Sequence, residues 1–452
     1  MEHIVIIGNG ISGITAARHI RKNSDHQITV ISAETDHFFS RTALMYIYMG
    51  HMKYEHTKPY EDGFWTKNRI DLKRAYVQRI DFNQKRLHLD GEEEMSYDKL
   101  ILAVGSKPNK FGWPGQDLEG VQGLYSYQDL ETLEANTHAP FTSEKDRKVK
   151  RAVLVGGGLI GVELAEMLFT RGIEVTFLVR ESRFWGNVLP KEEGEMVGRH
   201  MRKHHVDLRM NTELDEILPD DNGRVRAIRT KDGEEIECQL VGLTAGVSPN
   251  VDFLKDSGLE IKRGIMVNRH LETNQPDVYA IGDCAQFHDP PPGRRPIEQV
   301  WYTGRMMGET VAATLTGERT EYRPGHWFNS AKFFDLEYQT YGNVPARLEE
   351  GMNDFYWEHP DGMHCMRFIF SESDHRFIGI NTFGIRTRHA KFDQWLNEGR
   401  SVEYVLEHLV DANFDPEFYR SYEKEIIDTF NQQNRASLSP KKKSWKRIFQ
   451  LS

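Results

Sequence analysis

Cysteine is scarce in this chain: three of its 452 residues are cysteines, at positions 238, 284 and 365. Because their number is odd and their spacings are wide, we expect no framework of disulfide bonds, and a reducing compartment fits better. The sequence also lacks a run of about 18 apolar residues, the length that a membrane-spanning helix needs. Since Glu2 and His3 lead straight into an apolar run, without a signal-peptide pattern, we expect a cytoplasmic protein.

An excess of basic residues is missing as well. The chain has 58 Lys and Arg against 68 Asp and Glu, a formal net charge of -10. Domains that bind nucleic acids usually carry a basic excess, so no nucleic-acid partner is expected. Hydrophobic residues make up 38% of the sequence, which at this length is enough to fill the cores of two or three domains.

One pattern occurs twice: a strand, a glycine turn, a helix and a second strand. The predicted strand, helix and strand lie at 4–7, 14–21 and 28–31 in the first copy, and at 152–155, 162–170 and 174–179 in the second. Each copy is the opening of a βαβ unit, so the repeat indicates two separate dinucleotide sites.

The first glycine turn contains Gly8, Gly10 and Gly13 in the spacing G-x-G-x-x-G. The first glycine permits the tight turn, the second lets the backbone approach a pyrophosphate, and the third lets helix and strand pack closely. A pyrophosphate would then lie at the positive end of the helix dipole. Glu34, after the second strand, can accept hydrogen bonds from ribose hydroxyls. The alternative is a glycine turn with no ligand.

The second glycine turn contains Gly156, Gly158 and Gly161 in the same spacing. Its second strand is followed by Arg180 and Arg183, where a site for a 2′-hydroxyl would place an acid. Arginine there suits a 2′-phosphate, so the sequence favours NADPH over NADH, although Glu181 argues the other way. The alternative is that both arginines are solvated surface charges.

With these motifs placed, the chain resembles the FAD-dependent pyridine nucleotide oxidoreductases. Within them it is similar to the branch that holds ferredoxin and rubredoxin reductases, the large subunit of nitrite reductase and apoptosis-inducing-factor-like proteins. The resemblance covers about residues 1–320, and beyond the glycine turns it rests on the segments at 38–50, 97–108, 244–250 and 277–286.

The resemblance implies an α/β fold with two Rossmann-like dinucleotide-binding domains and a C-terminal α+β domain. The implied divisions are an FAD-binding domain at 1–115 and 245–320, an NAD(P)-binding domain at 116–244, the α+β domain at 321–435 and a basic tail at 436–452. In the α+β domain the alternating aromatic pattern predicts strands at 333–341, 354–357 and 364–370, and helical stretches near 388–410 and 415–433 follow. The segment 327–342 resembles the first strand pair of this domain in the family.

The resemblance also implies which residues bind the cofactors. For FAD they are Gly8, Gly10, Ser12, Gly13, Glu34, Arg41, Thr42, Val77, Ala103, Gly105, Gly282, Asp283 and Trp301, with Asp283 on the ribitol. For NAD(P)H they are Gly156, Gly158, Leu159, Ile160, Gly161, Arg180, Arg183 and Gly246.

Three residues are candidates for a catalytic role. Counted back from Gly308, Trp301 falls where the ferredoxin-reductase branch has an aromatic beside the flavin ring, and Glu163 falls near the nicotinamide–flavin contact. Tyr46 occupies the place where the branch often has a lysine, which puts a Lys–Glu pair in doubt. The alternatives are an ordinary core tryptophan and a carboxylate on a helix surface.

Thiol chemistry at the flavin is not expected. Disulfide reductases of this fold need one or two cysteines around residues 40–50, but the chain has no cysteine before position 238, and Thr42 occupies the single-cysteine place. Cys284 is most simply a small buried residue. Electrons would therefore leave the flavin directly for an external acceptor.

The C-terminal region offers two further features. His359, His364, Cys365, His375 and His389 invite a metal interpretation, but their spacing fits no compact ligand motif, so no metal site is expected. The tail at 441–452 is basic, and as a helix it would place Trp445, Ile448 and Phe449 on one face. Such a helix could lie on an anionic membrane and would make quinone an acceptor; the alternative is a disordered tail.

Together these features predict an FAD-dependent NAD(P)H oxidoreductase that passes hydride to FAD and then electrons to a ferredoxin- or rubredoxin-like protein or to quinone. The alternative is a redox-sensing binding protein with slow flavin turnover, as in apoptosis-inducing-factor-like proteins. The resemblance leaves open whether the chain forms a homodimer.

Overall fold

The computed structural model describes residues 1–137, 148–414, 418 and 420–441. The chain divides into two compact units. Unit 1 holds Met1–Leu178 and Thr212–Pro324, and unit 2 holds Val179–Asn211 and Gly325–Ser452. Of the predicted basic tail, residues 442–452 lie outside the described part of the chain, so the amphipathic helix proposed there stays a prediction.

Unit 1 contains a parallel five-stranded sheet around the first glycine turn. Its strands follow one another in the order Val278–Ala280, Lys99–Leu102, His3–Ile7, Gln27–Ser32 and Ile70–Arg74. Ile4, Val5 and Ile6 have no exposed surface, as expected for a parallel sheet covered on both faces. The strand order reverses beside His3–Ile7, and in such sheets ligands bind at the carboxyl ends next to this reversal.

The helix Ile11–Asn23 follows the first glycine turn and packs against the helix Trp301–Thr316. Two glycines of the second helix make this approach possible. A Cβ atom at Gly304 or Gly308 would lie 2.6 Å from Oγ or 2.5 Å from the carbonyl oxygen of Ser12, closer than real side chains come. The helix therefore lies tightly over the glycine turn.

The second glycine turn belongs to a second parallel sheet, in the order Glu174–Val179, Arg151–Val155, Leu240–Leu243 and Val121–Gln122. The helix Leu159–Thr170 follows the turn. Both predicted βαβ openings are confirmed, but both helices begin three residues earlier than the sequence pattern predicts. The reason is that the middle glycine of each motif is already the N-cap residue.

The other elements of unit 1 are short. Its remaining helices are Leu44–Tyr48, Gly63–Lys67 and Tyr127–Thr137. One antiparallel sheet contains Val77–Asp81, Arg86–Leu89 and Glu94–Ser96. A second contains Leu214–Pro219, Val225–Thr230 and Glu235–Glu237. Ser106–Pro108 pairs with Val247–Pro249, and Ile265–Val267 pairs with Ala285–Phe287.

Unit 2 is built on an antiparallel sheet with an aromatic core, which confirms the predicted α+β domain. The strand order is Phe328–Phe333, Leu336–Gly342, Phe377–Phe383, Cys365–Ser371 and Met352–Glu358. Its other elements are the helices Lys191–Lys203, His389–Asn397, Val402–Glu407 and Glu423–Asn434 and the strand Asp207–Met210.

Two predictions about this region need correction. The strand predicted at 333–341 begins only at Leu336, because Phe334 adopts a positive φ of 57° and the chain turns back at Phe334 and Asp335. The strand pair expected within 327–342 is confirmed as the hairpin of Phe328–Phe333 and Leu336–Gly342. The helix predicted at 415–433 begins only at Glu423, and residues 415–417 and 419 lie outside the described part.

Within the described ranges, no helix combines the length and the apolar character that crossing a bilayer would require.

Candidate functional site

The first glycine turn is shaped by contacts within the protein at two of its three glycines. Gly8 has a φ of +112°, and a Cβ atom there would overlap the carbonyl oxygen of Ala103. A Cβ atom at Gly13 would overlap the carbonyl oxygen of Gly8. Gly10 differs, because its φ of -70° suits any residue and a Cβ atom there would meet no protein atom within 4 Å. Gly10, the middle glycine of the motif, would instead be required by a ligand that approaches the backbone closely.

The helix that follows is ready to bind an anion. Gly10, its N-cap residue, offers no side-chain cap, and its first turn contains no acidic residue. The first backbone N–H groups of a helix have no partner within the helix, and they lie at the positive end of its dipole. A phosphate group would satisfy both features.

A cavity of about 730 Å³ opens beside this turn within unit 1, a size typical of sites for small molecules and cofactors. Of the residues predicted to bind FAD, those that line it are Gly8, Gly10, Ser12, Glu34, Arg41, Thr42, Val77, Ala103, Gly105, Asp283 and Trp301. Two lie behind the lining: Gly13 packs on Gly8, and Gly282 packs on the Ser12 hydroxyl. The structure therefore brings segments that are far apart in sequence into one cavity.

Glu34 is fixed by an ion pair that the sequence did not reveal. Its two carboxylate oxygens accept from the Arg41 guanidinium at 2.7 and 2.5 Å, and one of them also accepts from the Tyr127 backbone N–H at 2.9 Å. Burial disfavours the charged guanidinium, but the pair with Glu34 outweighs this and raises the pKa of Arg41. The second oxygen, Oε2, keeps a lone pair for a hydroxyl of a ligand.

Asp283 belongs to a second group of hydrogen-bonded polar side chains in the cavity. Its carboxylate accepts from the Ser106 hydroxyl at 3.1 Å and from the Tyr125 hydroxyl at 3.4 Å. Gln299 donates to the same Ser106 hydroxyl at 2.8 Å, and Arg41 lies 4.6 Å from the centre of the Tyr125 ring. Burial raises the pKa of Asp283, while these donors and the Arg41 charge favour its ionised form.

Sequence reasoning missed three of these cavity residues: Ser106, Tyr125 and Gln299. Ser106 stands within the segment 97–108 that carried the family resemblance, so a signal was present for it. Gln299 stands two residues before Trp301, in the segment that placed this tryptophan, whereas Tyr125 stands outside every motif. Only the folded chain brings Tyr125 to Asp283 and Gln299 to Ser106.

The second glycine turn repeats the arrangement of the first. Gly156 has a φ of +117°, and a Cβ atom there would lie 2.6 Å from Cα of Ala245. A Cβ atom at Gly161 would overlap the Phe177 ring. A Cβ atom at Gly158 would again meet no protein atom within 4 Å. Gly158 is the N-cap residue of its helix, which has neither a side-chain cap nor an acidic residue in its first turn. The backbone here can also receive a phosphate.

The helix after the second turn reaches the same cavity. Leu159, Ile160 and Glu163 line it, as does Trp301, which begins its own helix and is 37% exposed. Burial, helped by the nearby carboxyl of Glu166, raises the pKa of Glu163 to about 7. The structure thus brings two of the three catalytic candidates to one cavity.

The third candidate does not join them. Tyr46 is not among the residues that line the cavity, and its ring lies 6.3 Å from that of His51 in a stacked arrangement. The helix Leu44–Tyr48 presents other side chains to the cavity, namely Leu44 and Met45.

The remaining residues predicted for NAD(P)H do not line the cavity. Gly246 has a φ of +85° and follows the Leu240–Leu243 strand. Arg180 directly follows the strand Glu174–Val179, is 70% exposed and pairs with Glu181 at 3.1 Å. Arg183 donates to the carbonyl oxygen of Gly186 at 3.0 Å. The preference for NADPH therefore stays a prediction from the sequence.

None of the three cysteines of the chain lines the cavity, and all three are buried and free. The Cys284 thiol lies 3.4 Å from the carbonyl oxygen of Leu102 and 3.3 Å from that of Ile281. Burial raises the pKa of Cys284 to about 12, so this group is a thiol at neutral pH and not a nucleophile.

Comparisons with known proteins agree with this geometry. The family profile described as pyridine nucleotide-disulphide oxidoreductase matches residues 2–312. An NAD(P)H nitrite reductase of Bacillus subtilis is 30% identical over 63% of this chain, and a rubredoxin-NAD(+) reductase of Acinetobacter baylyi is 29% identical over 71%. The alignments cover 34% of the nitrite reductase and 80% of the rubredoxin reductase.

A solved structure shows the same fold over 95% of the chain. The crystal structure of a ferredoxin reductase from Rhodopseudomonas palustris has a TM-score of 0.76 at 22% identity, and the match covers 95% of this chain and 100% of that one.

Proposed function

Because the chain belongs to the pyridine nucleotide-disulphide oxidoreductase family, whose members are FAD-dependent NAD(P)H oxidoreductases, we propose that it carries electrons from NAD(P)H to a small electron-transfer protein. The observation that supports this most strongly is the pair of open middle glycines, Gly10 and Gly158. No contact within the described residues requires either glycine, whereas a nucleotide phosphate at each turn would require both.

The first turn and the cavity beside it would hold FAD. The backbone of Gly8–Gly13 would bind the pyrophosphate, Glu34 a ribose hydroxyl and Asp283 the ribitol chain. When bound, FAD supplies the acceptor for a hydride and the store for an electron pair. The residues of this chain bind it, orient it and keep a thiol away from it, since no cysteine reaches the cavity.

Glu163 is proposed to set the charge of the cavity. With a pKa of about 7, its carboxyl carries a proton about half of the time near neutral pH. In the neutral form it adds no negative charge to a cavity that has to admit two anionic dinucleotides. Trp301, exposed at the same cavity, offers an aromatic face to pack beside a ring.

A protein acceptor is favoured over quinone. The rubredoxin reductase, which matches over 80% of its length, is named for a protein acceptor, and the nitrite reductase match covers a smaller share of that longer chain. Quinone was predicted from the basic tail, of which residues 442–452 lie outside the described part. Neither relative supports the alternative of a slow redox-sensing binding protein.

The experiment that tests this function has two stages. The purified flavoprotein is first reduced without oxygen by NADH or NADPH, and is then mixed with a rubredoxin, a ferredoxin or a soluble quinone. We expect rapid return of the oxidised flavin spectrum with one of the two proteins. Rapid reoxidation by quinone alone would overturn the proposed acceptor, and a reduced flavin that none of the three reoxidises would favour the binding-protein alternative.

A further inference from the structure

Unit 2 carries a pair of histidines that the sequence analysis overlooked. His200 lies near the end of the helix Lys191–Lys203, and His204 is its C-cap residue. Their spacing, H-x₃-H, places both side chains on one face of a helix and is a recognised spacing for metal ligands. The signal for this pair was therefore present in the sequence.

Both imidazoles meet the same carboxylate. The Nε2 atoms of His200 and His204 lie 2.7 and 2.8 Å from Oδ1 of Asp335. Asp335 stands in the turn between the strands Phe328–Phe333 and Leu336–Gly342. The three potential ligand atoms all lie within 4.8 Å of one another.

The three side chains are held by rigid elements. His200 is 3% exposed on its helix, and the His204 ring stacks on the Phe334 ring, with centroids 4.5 Å apart and planes 9° apart. Phe334 itself is fixed in a tight turn with a φ of +57°. Ligands positioned on a helix and a tight turn, with their rings packed, are what a preorganised metal site needs.

The burial of His200 is poorly offset by hydrogen bonds. Among the described residues its Nδ1 atom has no hydrogen-bond partner, and its Nε2 atom meets only the carboxylate of Asp335, which is 67% exposed. A buried polar side chain with so little compensation needs an explanation. A cation bound to Nε2 would provide a strong partner for the buried ring.

We propose that His200, His204 and Asp335 form a binding site for a divalent first-row metal ion, with Zn²⁺ the best match. Two neutral imidazoles and one carboxylate are a ligand set that Zn²⁺ uses, with water in the fourth position. With bonds of about 2.0 Å in tetrahedral geometry, each Nε2 atom would lie roughly 3.3 Å from Oδ1 of Asp335. The present distances are 2.7 and 2.8 Å. The exposed Asp335 side chain can move by this small amount, and solvent reaches the site from its side. The bound ion would tie the helix to the hairpin.

A second triad provides a built-in control. His359, Asp361 and His364 also lie close together, with both Nδ1 atoms 2.8 to 2.9 Å from Oδ2 of Asp361. However, the backbone N–H of Asp361 donates to Nδ1 of His359 at 3.3 Å, which engages the lone pair that a metal would need. We therefore assign the ion to the first triad.

The test uses the full-length flavoprotein after removal of metal with a chelator. Zn²⁺ is titrated by calorimetry, and Co²⁺ is titrated by visible absorption at wavelengths beyond the flavin bands, where tetrahedral Co²⁺ absorbs. We expect one ion per chain, a rise in the thermal unfolding temperature with Zn²⁺, and affinity at least tenfold lower in Asp335→Asn and in His204→Gln. Asp335→Asn keeps the size of the side chain and an oxygen that can accept from the histidines, so it should fold.

Two variants serve as controls. His205→Asn removes an exposed neighbouring histidine at a positive φ of 61°, which asparagine tolerates, and Asp361→Asn disables the second triad. Both should bind the ion as the unmodified protein does. Absence of stoichiometric binding, binding unchanged in Asp335→Asn, or binding lost in Asp361→Asn would each overturn the assignment.

Discussion

The two glycine turns have the same spacing and the same backbone logic, but different residues follow their second strands. After Gln27–Ser32 comes Glu34, which is clamped by Arg41 and lines the cavity. After Glu174–Val179 comes Arg180, which is 70% exposed and pairs with Glu181 at 3.1 Å. The glycine spacing thus allows the backbone to bind a phosphate, whereas the residue after the second strand determines whether a ribose hydroxyl or a 2′-phosphate is recognised.

The largest effect is expected from Gly10→Val. A Cβ atom at Gly10 would meet no protein atom within 4 Å, so the fold should remain, but the side chain would occupy the space of a pyrophosphate. We expect FAD affinity to fall at least 100-fold, measured as flavin bound per chain, with unchanged thermal unfolding of the flavin-free protein. Gly63→Val, at an exposed glycine with open space around it, should retain FAD. Loss of fold in Gly10→Val would mean that the protein itself requires this glycine.

Gly158→Val distinguishes the ligand of the second glycine turn from that of the first. It should leave the flavin bound, because the change lies in the other turn, and should raise KM for both NADH and NADPH at least tenfold. Steady-state kinetics with a protein acceptor and the flavin content of the same sample provide the measurement. Loss of FAD from this variant, with NAD(P)H binding retained, would reverse the assignment of the turns.

Glu163→Gln should change how the free energy of unfolding depends on pH. The pKa of Glu163 rises from 4.5 to about 7 on folding, so the folded protein keeps a proton that the unfolded chain releases. Stability is therefore lost as pH rises from about 4.5 through about 7, by on the order of 3 kcal/mol for a shift of this size. Urea unfolding at pH 5 and pH 8 should show the variant gaining stability relative to the unmodified protein only at the higher pH. An equal difference at both values would contradict the assigned pKa.

The smallest effect is expected from Arg180→Ala. Because this side chain is 70% exposed, its contribution to a 2′-phosphate would be screened by solvent. We expect kcat/KM for NADPH to fall about three- to tenfold relative to that for NADH, on the scale of one exposed charge pair. Arg183→Ala, whose guanidinium is held by the Gly186 carbonyl, is the matched comparison. An unchanged NADPH to NADH ratio would place Arg180 among ordinary surface charges.

The sequence predicted the fold where the signal is local. Strand, glycine turn and helix are neighbours in the chain, so Gly8 to Gly13 and Gly156 to Gly161 could be placed without tertiary information. The strand pair within 327–342 was expected from the resemblance, but the aromatic pattern placed Phe334 and Asp335 inside a strand. Aromatic residues alternate through this turn, and neither glycine nor asparagine marks it.

The side-chain network of the cavity could not be predicted in the same way. Glu34 accepts from the backbone of Tyr127, 93 residues away, and Ser106 donates to Asp283 across 177 residues. The same limitation applies to Asp335, whose two histidines stand more than 130 residues before it. Such pairings depend on packing between segments that carry no shared motif.

The claim that the chain has two separate dinucleotide sites is tested by equilibrium dialysis with FAD and oxidised nicotinamide dinucleotide together. We predict one FAD and one nicotinamide dinucleotide bound per chain at the same time, with the nicotinamide dinucleotide lost in Gly158→Val and FAD retained. Displacement of FAD by the nicotinamide dinucleotide, with one dinucleotide in total per chain, would contradict the claim.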